Sequence, residues 1–215
     1  MVPAARKGRA LTSPYTIEAM HVLVVHAHPR LDSFNRTLFD TAVNALAEAG
    51  HVVESISLYE DGFDPRMTGP ERIAYHGPRP IISSQVERYA QAVSRAEGLV
   101  FVYPTWWFGL PAILKGWLER VLVPGVAFVF DPASHKVEPN LQRVRRIVGV
   151  TTYGSSWWYT KLFTDAGRRT LVRTLRLVCN RSARSIWLGM YGLDTSTSER
   201  RQAFLRRVTR TLAEL

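Results

Sequence analysis

The sequence has a single cysteine and no long run of apolar residues suited to a lipid bilayer. One cysteine, Cys179, excludes an intramolecular disulfide, so the apolar core must hold the fold, and we expect a cytoplasmic protein. Residues 98–114 carry no charge, but they include two prolines and fall short of the roughly 20 apolar residues that span a membrane. We therefore exclude a disulfide scaffold, and we exclude a membrane span at this stretch.

The first 19 residues lack the apolar segment that a secretory signal requires. They show no helical or strand periodicity, and they mix basic residues with prolines and small residues. We predict a flexible extension over residues 1–19, followed by a single domain over residues 20–215, which is long enough for a full core.

Negative charge is scarce in the C-terminal third of the chain. Residues 140–215 hold 15 lysine and arginine residues against 4 acidic residues, and the net formal charge of the whole chain is +10. A basic surface suits nucleic acid, an anionic membrane or an anionic small molecule, and it is also typical of an ordinary solvated surface. No nucleic-acid-binding motif accompanies the arginines, so we do not expect a nucleic-acid partner.

Five apolar segments alternate along the chain with segments of helical periodicity. The predicted strands are residues 21–27, 51–59, 99–103, 146–152 and 183–191. The predicted helices are residues 33–50, 83–96, a segment beginning at Pro111, 159–178, and 198–215 with Ser198 as its cap. Two segments, 60–82 and 123–141, are predicted to be irregular. This alternation predicts an α/β three-layer sandwich of the flavodoxin-like type, with a five-stranded parallel sheet in the order 2-1-3-4-5.

The loops after the first, third and fourth strands meet at one edge of such a sheet, where open α/β sheets bind ligands. The first loop, residues 28–35, leads into a helix N-terminus that attracts anions, and His28, Ser33 and Asn35 supply polar groups beside it. It has neither of the glycine-rich motifs that bind dinucleotides or triphosphates. His26 and His28 share one strand face but lack a third ligand, so we expect no metal.

The second and third loops are rich in aromatic residues. Trp106, Trp107 and Phe108 follow the central strand, and this place suits a flat ring system held against backbone amides. The third loop, residues 151–159, adds hydroxyl groups, further rings and Gly154, which allows a close approach of the backbone. Neither a nucleophilic triad nor paired carboxylates occur in these loops, which favours a reaction carried by a bound cofactor.

These motifs resemble those of the NAD(P)H:quinone oxidoreductases, a family of flavodoxin-like flavoproteins. The most specific motif is Trp107-Phe-Gly-Leu-Pro-Ala-Ile-Leu-Lys-Gly-Trp-Leu-Glu-Arg-Val121. The loop from His28 to Asn35 is similar to the flavin phosphate loop of the family, and the likeness extends from about Val22 to the last helix. The third flavin loop of the family is matched by Thr151, Thr152 and Tyr159.

The resemblance implies an enzyme in which NAD(P)H reduces a flavin that then passes a hydride to a quinone, in a ping-pong cycle. Tyr159 is the implied catalytic residue, because its hydroxyl would stabilise negative charge on the reduced ring. The implied flavin-binding residues of the three loops are His28, Ser33, Phe34, Asn35, Pro104, Thr105, Trp106, Trp107, Phe108, Thr151, Thr152 and Gly154. Glu119 and Arg200 match family positions that hold the adenine half of FAD, so we predict FAD, with FMN as the alternative. The family also implies a homodimer with the active site at the subunit interface.

Two positions depart from the family pattern. Tyr153 replaces a glycine and is expected to crowd the wall of the flavin site, and Asp165 stands in the place of a family histidine. A second role also follows from the resemblance, because some relatives are flavin-bound ancillary subunits of membrane potassium-efflux systems. The basic C-terminal third would suit docking on such a membrane protein. A one-electron carrier is disfavoured, because electron-carrying flavodoxins are usually acidic.

Overall fold

The computed structural model describes residues 18–131 and 136–215. The predicted N-terminal extension therefore lies outside the described residues, apart from Glu18 and Ala19. Within the two described ranges, no helix combines the length and the apolar character needed to cross a membrane.

A five-stranded parallel sheet forms the middle layer of the molecule. Its strands, in spatial order, are β2 (Val52–Ser57), β1 (His21–His26), β3 (Gly98–Pro104), β6 (Arg146–Thr152) and β7 (Arg184–Met190). Val24 of β1 pairs with Val100 of β3, which pairs in turn with Val148 of β6. The predicted order 2-1-3-4-5 is confirmed, because the other two strands of the described ranges form a separate hairpin.

Helices cover both faces of the sheet. One face carries α1 (Phe34–Glu48) and α7 (Ser198–Ala213), and the other carries α3 (Ser84–Arg95) and α4 (Ala112–Val121). Side chains alternate along β3 between the two cores: Val100 and Val102 pack in the first, and Leu99, Phe101 and Tyr103 pack in the second. All residues of β3 are buried, as a central parallel strand requires.

Local signals set the ends of α1 and α7. The Ser33 side chain accepts a hydrogen bond from a first-turn N–H, as an N-cap does, and Gly50 follows α1 with a φ of +89°. The cap of α7 is Thr197, so the prediction of Ser198 was wrong by one residue. Hydroxyl residues occupy every position from Thr195 to Ser198, and only the backbone geometry selects among them.

The prediction of one helix over residues 159–178 was wrong. The chain instead forms α5 (Trp157–Leu162), α6 (Ala166–Arg169), a π-helix (Thr170–Thr174) and a 3-10 helix (Leu175–Val178). Between α5 and α6, Thr164 and Asp165 take left-handed φ values of +71° and +42°. The N–H groups of the next two residues donate to the Phe108 carbonyl. A tertiary contact therefore overrides the helical periodicity of the sequence.

Both segments that were predicted to be irregular contain regular structure. Residues 60–82 include α2 (Gly69–Ala74), which begins at a capping box formed by Thr68 and Glu71. Residues 123–141 include an antiparallel hairpin of β4 (Phe128–Asp131) and β5 (Lys136–Pro139). These two strands are largely exposed, so they lack the apolar pattern that marks the central strands.

A buried ion pair ties α2 to α4. Arg120 Nε donates to Glu71 Oε1 over 3.0 Å, and the two side chains are 7% and 9% exposed. Burial opposes ionisation of Glu71, but hydrogen bonds from Arg120 and Thr68 outweigh it, so the pKa of Glu71 is lowered. The Arg120 guanidinium also donates to the Asp64 carbonyl. These contacts anchor the long segment between β2 and α3.

Candidate functional site

A crevice of about 800 Å³ opens at the carboxyl ends of β1, β3 and β6. Its wall combines polar residues at the start of α1 with aromatic residues that follow β3. The lining residues are His28, Ser33, Phe34, Asn35, Pro104, Thr105, Trp106, Trp107, Phe108, Thr152, Tyr153, Gly154, Ser155, Leu193 and Asp194. The structure therefore brings together all the flavin-contact residues predicted in the three loops except Thr151.

His28 places its imidazole ring at the crevice. Its Nδ1 lies 3.1 Å from the Arg30 nitrogen and 3.3 Å from the Arg30 carbonyl oxygen, so it accepts from the N–H in one tautomer and donates to the carbonyl in the other. Partial burial lowers the pKa of His28, so the neutral form predominates at pH 7. The His28 ring lies 6.2 Å from the ring of Trp106, between the first and second loops.

The Ser33 hydroxyl is already committed within the protein. It donates to the Arg30 carbonyl over 2.8 Å and accepts from the Arg36 N–H over 3.1 Å. Ser33 therefore acts on a ligand mainly by capping α1. The N–H groups of Phe34 and Asn35, in the first turn, have no partner inside the helix and remain available to an anion.

Asn35 has a buried amide without a protein partner. The residue is 3% exposed, and within the described ranges neither Oδ1 nor Nδ2 has a hydrogen-bond partner. Leaving such a group unsatisfied costs about 1–3 kcal/mol, so native proteins seldom retain one without a use. Asn35 lines the crevice beside the α1 N-terminus, where the helix dipole suits a flavin phosphate, but its two amide atoms are closed to solvent and reach such a ligand only if the side chain turns.

The loop after β3 forms a tight turn with unusual backbone angles. Trp107 and Phe108 have φ values of +50° and +55°, and the Gly109 N–H donates to the Trp106 carbonyl over 2.9 Å. Each left-handed residue other than glycine costs roughly 1–2 kcal/mol. Trp107 is 98% exposed, so its own side chain offsets none of this cost by packing within the chain. Strain of this kind is concentrated at functional sites.

The segment that follows α5 holds the strained turn in place. The Ala166 N–H donates to the Phe108 carbonyl over 2.9 Å, and the Phe108 ring stacks on Phe163 at a centroid distance of 5.0 Å. Tyr159, the predicted catalytic residue, is not part of the crevice wall. Its ring lies 6.0 Å from that of Phe108, and the residue is 41% exposed. The structure therefore places Tyr159 beside the turn, at the rim of the crevice.

Thr151 and Thr152 differ in their access to the crevice. Thr151 is fully buried, and its Oγ1 lies 2.8 Å from Thr105 Oγ1. The Thr105 N–H donates to the Thr152 carbonyl, also over 2.8 Å. Thr151 therefore fixes the loop after β3 against the end of β6, and Thr152 lines the crevice.

The two residues that depart from the family pattern are hydrogen-bonded to each other. The Tyr153 hydroxyl donates to Asp165 Oδ2 over 2.8 Å and accepts from Trp187 Nε1 over 3.2 Å. Burial first, and then the Asp165 carboxylate, raise the pKa of Tyr153 well above its ordinary value. The Tyr153 ring is buried and stacks on Tyr191 at 4.4 Å, so it does not crowd the crevice as its size led us to expect.

Sequence reasoning missed Ser155, Leu193 and Asp194 as parts of the crevice wall. A Cβ added at Gly154 would lie 2.8 Å from Asp194 Oδ2, so a side chain here would displace this carboxylate. The loop after β7 ends at the same edge of the sheet as the other three loops. Ligands bind at the carboxyl ends of the strands in open α/β sheets, and this rule could have identified the loop after β7 from the sequence as well.

Glu119 and Arg200, the predicted adenine-binding residues, lie outside the crevice. Glu119 pairs with Lys115, one turn earlier on the exposed surface of α4. Arg200 Nη2 donates to the Tyr191 carbonyl over 3.1 Å, and Arg200 lines a separate depression with Trp157. A single chain therefore does not bring these two residues to the other predicted flavin contacts.

Two buried titratable groups near the sheet belong to the core. His26 stacks on Phe39 at 4.7 Å, and desolvation is the main cause that lowers its pKa to about 4. Burial raises the pKa of the Cys179 thiol to about 12. Among the residues that the structure describes, no three histidine, cysteine, aspartate or glutamate side chains are grouped to hold a metal ion.

Comparisons with known proteins agree with this geometry. Residues 20–210 match the Flavodoxin_2 family, whose description is "Flavodoxin-like fold". The ribosyldihydronicotinamide dehydrogenase (quinone) of Mus musculus is 30% identical over 203 residues, which are 86% of this chain and 87% of that protein. The Homo sapiens protein of the same name is 34% identical over 163 residues, covering 69% of this chain and 70% of that protein. The structure of the NAD(P)H:quinone oxidoreductase from Methanothermobacter marburgensis matches with a TM-score of 0.75 at 25% identity, covering 92% of this chain and 97% of that one. The chain therefore belongs to the NAD(P)H:quinone oxidoreductase family of flavodoxin-like proteins.

Proposed function

We propose that the protein is a flavin-dependent NAD(P)H oxidoreductase that reduces a quinone or a similar acceptor by two electrons. The observation that carries this proposal is the crevice itself, which joins the N–H groups at the start of α1 to the strained aromatic turn after β3. The names of the curated relatives support the acceptor class, because they are quinone dehydrogenases.

The start of α1 is the proposed phosphate site. The N–H of Phe34 and the Asn35 amide, once its side chain turns to the crevice, donate to the phosphate, and the neutral His28 ring lies beside them. No full positive charge is needed, because the helix dipole and these donors together stabilise a dianion. Ser33 keeps the first turn in place through its own two hydrogen bonds.

The strained turn after β3 and the loop after β6 border the proposed ring site. The turn from Trp106 to Phe108 supplies aromatic faces and backbone N–H groups, and Gly154 allows the opposite wall to approach closely. A bound flavin supplies the chemistry, which is hydride transfer from NAD(P)H and then to the acceptor in a ping-pong cycle. Tyr159 holds a phenolic hydrogen-bond donor at the rim, where it stabilises negative charge that develops on the ring system.

A homodimer is part of the proposal. Several large apolar side chains beside the crevice are exposed, and they form a patch of the kind that protein interfaces cover. They are Trp107, Trp157, Trp158, Leu162 and Phe163. In this proposal a second copy brings Glu119 and Arg200 to the crevice, where they contact the adenine half of FAD. The proposal of FAD therefore depends on the proposal of a dimer. A monomer that binds FMN is the alternative.

The test is the absorption spectrum of the purified protein, followed by mass identification of the released chromophore and by steady-state assays with a soluble quinone. We expect a yellow protein that oxidises NADH or NADPH over many turnovers only when the acceptor is present. Colourless protein that binds neither added FMN nor added FAD refutes the proposal. Stable flavin binding without turnover, together with co-purification of a membrane protein, would favour the ancillary-subunit role. Size-exclusion chromatography with light scattering tests the dimer.

A further inference from the structure

A second cavity, of about 310 Å³, lies beside the crevice, and most of its charged groups are cationic. The charged residues of its wall are Lys161, Arg168, Arg169, Arg173 and Asp165. We call this space the basic cavity. Its volume is at the lower end of the range in which proteins bind small organic groups.

The cations of the basic cavity have no acidic partners. Within the described ranges, no carboxylate oxygen lies within 4.0 Å of the charged nitrogens of Lys161, Arg168, Arg169 or Arg173. Within the described ranges many other arginines also lack an acidic partner, although Arg145 pairs with Glu97. What distinguishes these four cations is that they surround one cavity, which suits an anionic ligand.

The Asp165 carboxylate offsets only one of the four positive charges of this wall. Its Oδ2 accepts from the Tyr153 hydroxyl over 2.8 Å, and its Oδ1 accepts from the Arg168 N–H over 3.4 Å. The Lys161 ammonium lies 5.3 Å from the centre of the Trp157 ring, and the Arg168 guanidinium lies 5.9 Å from a second tryptophan ring. Among the residues that the structure describes, Arg169 and Arg173 have neither kind of partner, and both are exposed.

The local fold keeps Arg169 and Arg173 on one side of the chain. They are four residues apart, and the π-helix over Thr170–Thr174 carries the chain between them. Like charges at this spacing repel each other, so the arrangement costs stability in the absence of a ligand. Single π-turns within helices often occur at functional sites.

One tyrosine separates the basic cavity from the crevice. Tyr153 lines the crevice, its ring stacks on Tyr191 at 4.4 Å, and Tyr191 lines the basic cavity. The Tyr153 hydroxyl also bonds to Asp165, which lines the basic cavity as well. The basic cavity therefore adjoins the crevice across a single side chain.

We propose that the basic cavity binds the phosphate monoester of a phosphorylated nicotinamide dinucleotide, so that the protein prefers NADPH to NADH. This inference rests on the proposed function, and it names the reductant. A phosphate monoester is a dianion with several acceptor oxygens, and neighbouring guanidinium groups match it better than they match a single carboxylate.

The test compares two double variants that remove the same charge. Arg169→Ala/Arg173→Ala changes the basic cavity, and Arg176→Ala/Arg206→Ala removes two exposed arginines outside its wall. Calorimetry on the flavin-loaded protein measures the binding of adenosine 2′,5′-bisphosphate and of adenosine 5′-monophosphate, which differ by the 2′-phosphate. Steady-state assays measure the KM for NADPH and for NADH.

We expect the cavity variant to bind the bisphosphate at least tenfold more weakly and to raise the KM for NADPH by a similar factor. The KM for NADH and both values in the control variant should stay unchanged. Equal KM values for the two coenzymes in the wild type, or bisphosphate binding that the cavity variant retains, overturn the inference while leaving the proposed function intact. Inorganic phosphate that binds as tightly as the bisphosphate overturns the assignment to a coenzyme. Absence of turnover with either coenzyme, with bisphosphate binding still lost in the variant, refutes the proposed function and supports the phosphate site.

Discussion

Replacing Asn35 with leucine separates folding from ligand binding. Asn35→Leu keeps the side-chain size but removes both unpartnered polar atoms from the buried crevice wall. A buried polar group without a partner costs about 1–3 kcal/mol, and that cost disappears in the variant. In the flavin-loaded protein the same amide is proposed to be satisfied by the ligand, so the substitution should weaken binding by about tenfold or more.

The assay is a pair of measurements on each protein: urea unfolding of the flavin-free form and titration with flavin. We expect the flavin-free variant to gain about 1 kcal/mol of unfolding free energy. Asn44→Leu is the matched control, because Asn44 is exposed on the same helix. The change in unfolding free energy of Asn44→Leu measures the higher helix propensity of leucine over asparagine, and this value is subtracted from the change measured for Asn35→Leu.

The opposite result would refute the reasoning. If Asn35→Leu destabilises the flavin-free protein and leaves flavin affinity unchanged, the amide serves the fold rather than the ligand. A loss of affinity in Asn44→Leu of the same size would show that the effect comes from the helix as a whole.

Three other substitutions test separate parts of the molecule. Tyr159→Phe should keep flavin but slow quinone reduction in steady-state assays, because the rim loses its hydroxyl donor, and an unchanged rate removes Tyr159 from the mechanism. Glu71→Gln should lower the free energy of unfolding at pH 7 by about 3 kcal/mol, because it leaves the Arg120 cation buried without its counter-charge. Since the pKa of Glu71 is lowered in the folded state, the wild type should lose this stabilisation as the pH falls below 4.5. Denaturation curves of the wild type and Glu71→Gln that match at all pH values contradict a stabilising role for this ion pair. The pKa of His26 is lowered to about 4, so the free energy of unfolding of the wild type should fall by about 3 kcal/mol as the pH drops from 6.5 towards 4. If the same pH dependence persists in His26→Phe, another group causes it.

The sheet and its order were predictable because the central strands are buried on both faces. Residues 99–103 read as one apolar run, and the structure buries all of them. Once five such runs alternate with helices, the handedness of the crossovers leaves few arrangements, and the loops that meet at the site follow from the strand order.

The break after α5 was not predictable from the sequence. Thr164 is β-branched and disfavours left-handed backbone, and although aspartate tolerates it, the local pattern is helical. Their conformation is set by Phe108, which lies far away in the chain and accepts the hydrogen bonds from the start of α6. Local periodicity carries no information about such a partner.

The link between Tyr153 and Asp165 was also hidden. Each residue was identified as a departure from the family pattern, but the sequence does not show that they meet. The structure joins them by a hydrogen bond of 2.8 Å and buries both. A change from glycine to a large aromatic residue is therefore accommodated by a polar partner on another loop.

The Phe108 carbonyl joins two short segments that both have left-handed backbone, so a change in the sequence of one segment affects the other. Consider a chimera that takes residues 106–109 from a relative but keeps residues 164–167 of this chain. Its new turn would face hydrogen-bond donors that are positioned for the original turn. Replacing the turn with that of a relative therefore requires exchanging both segments together.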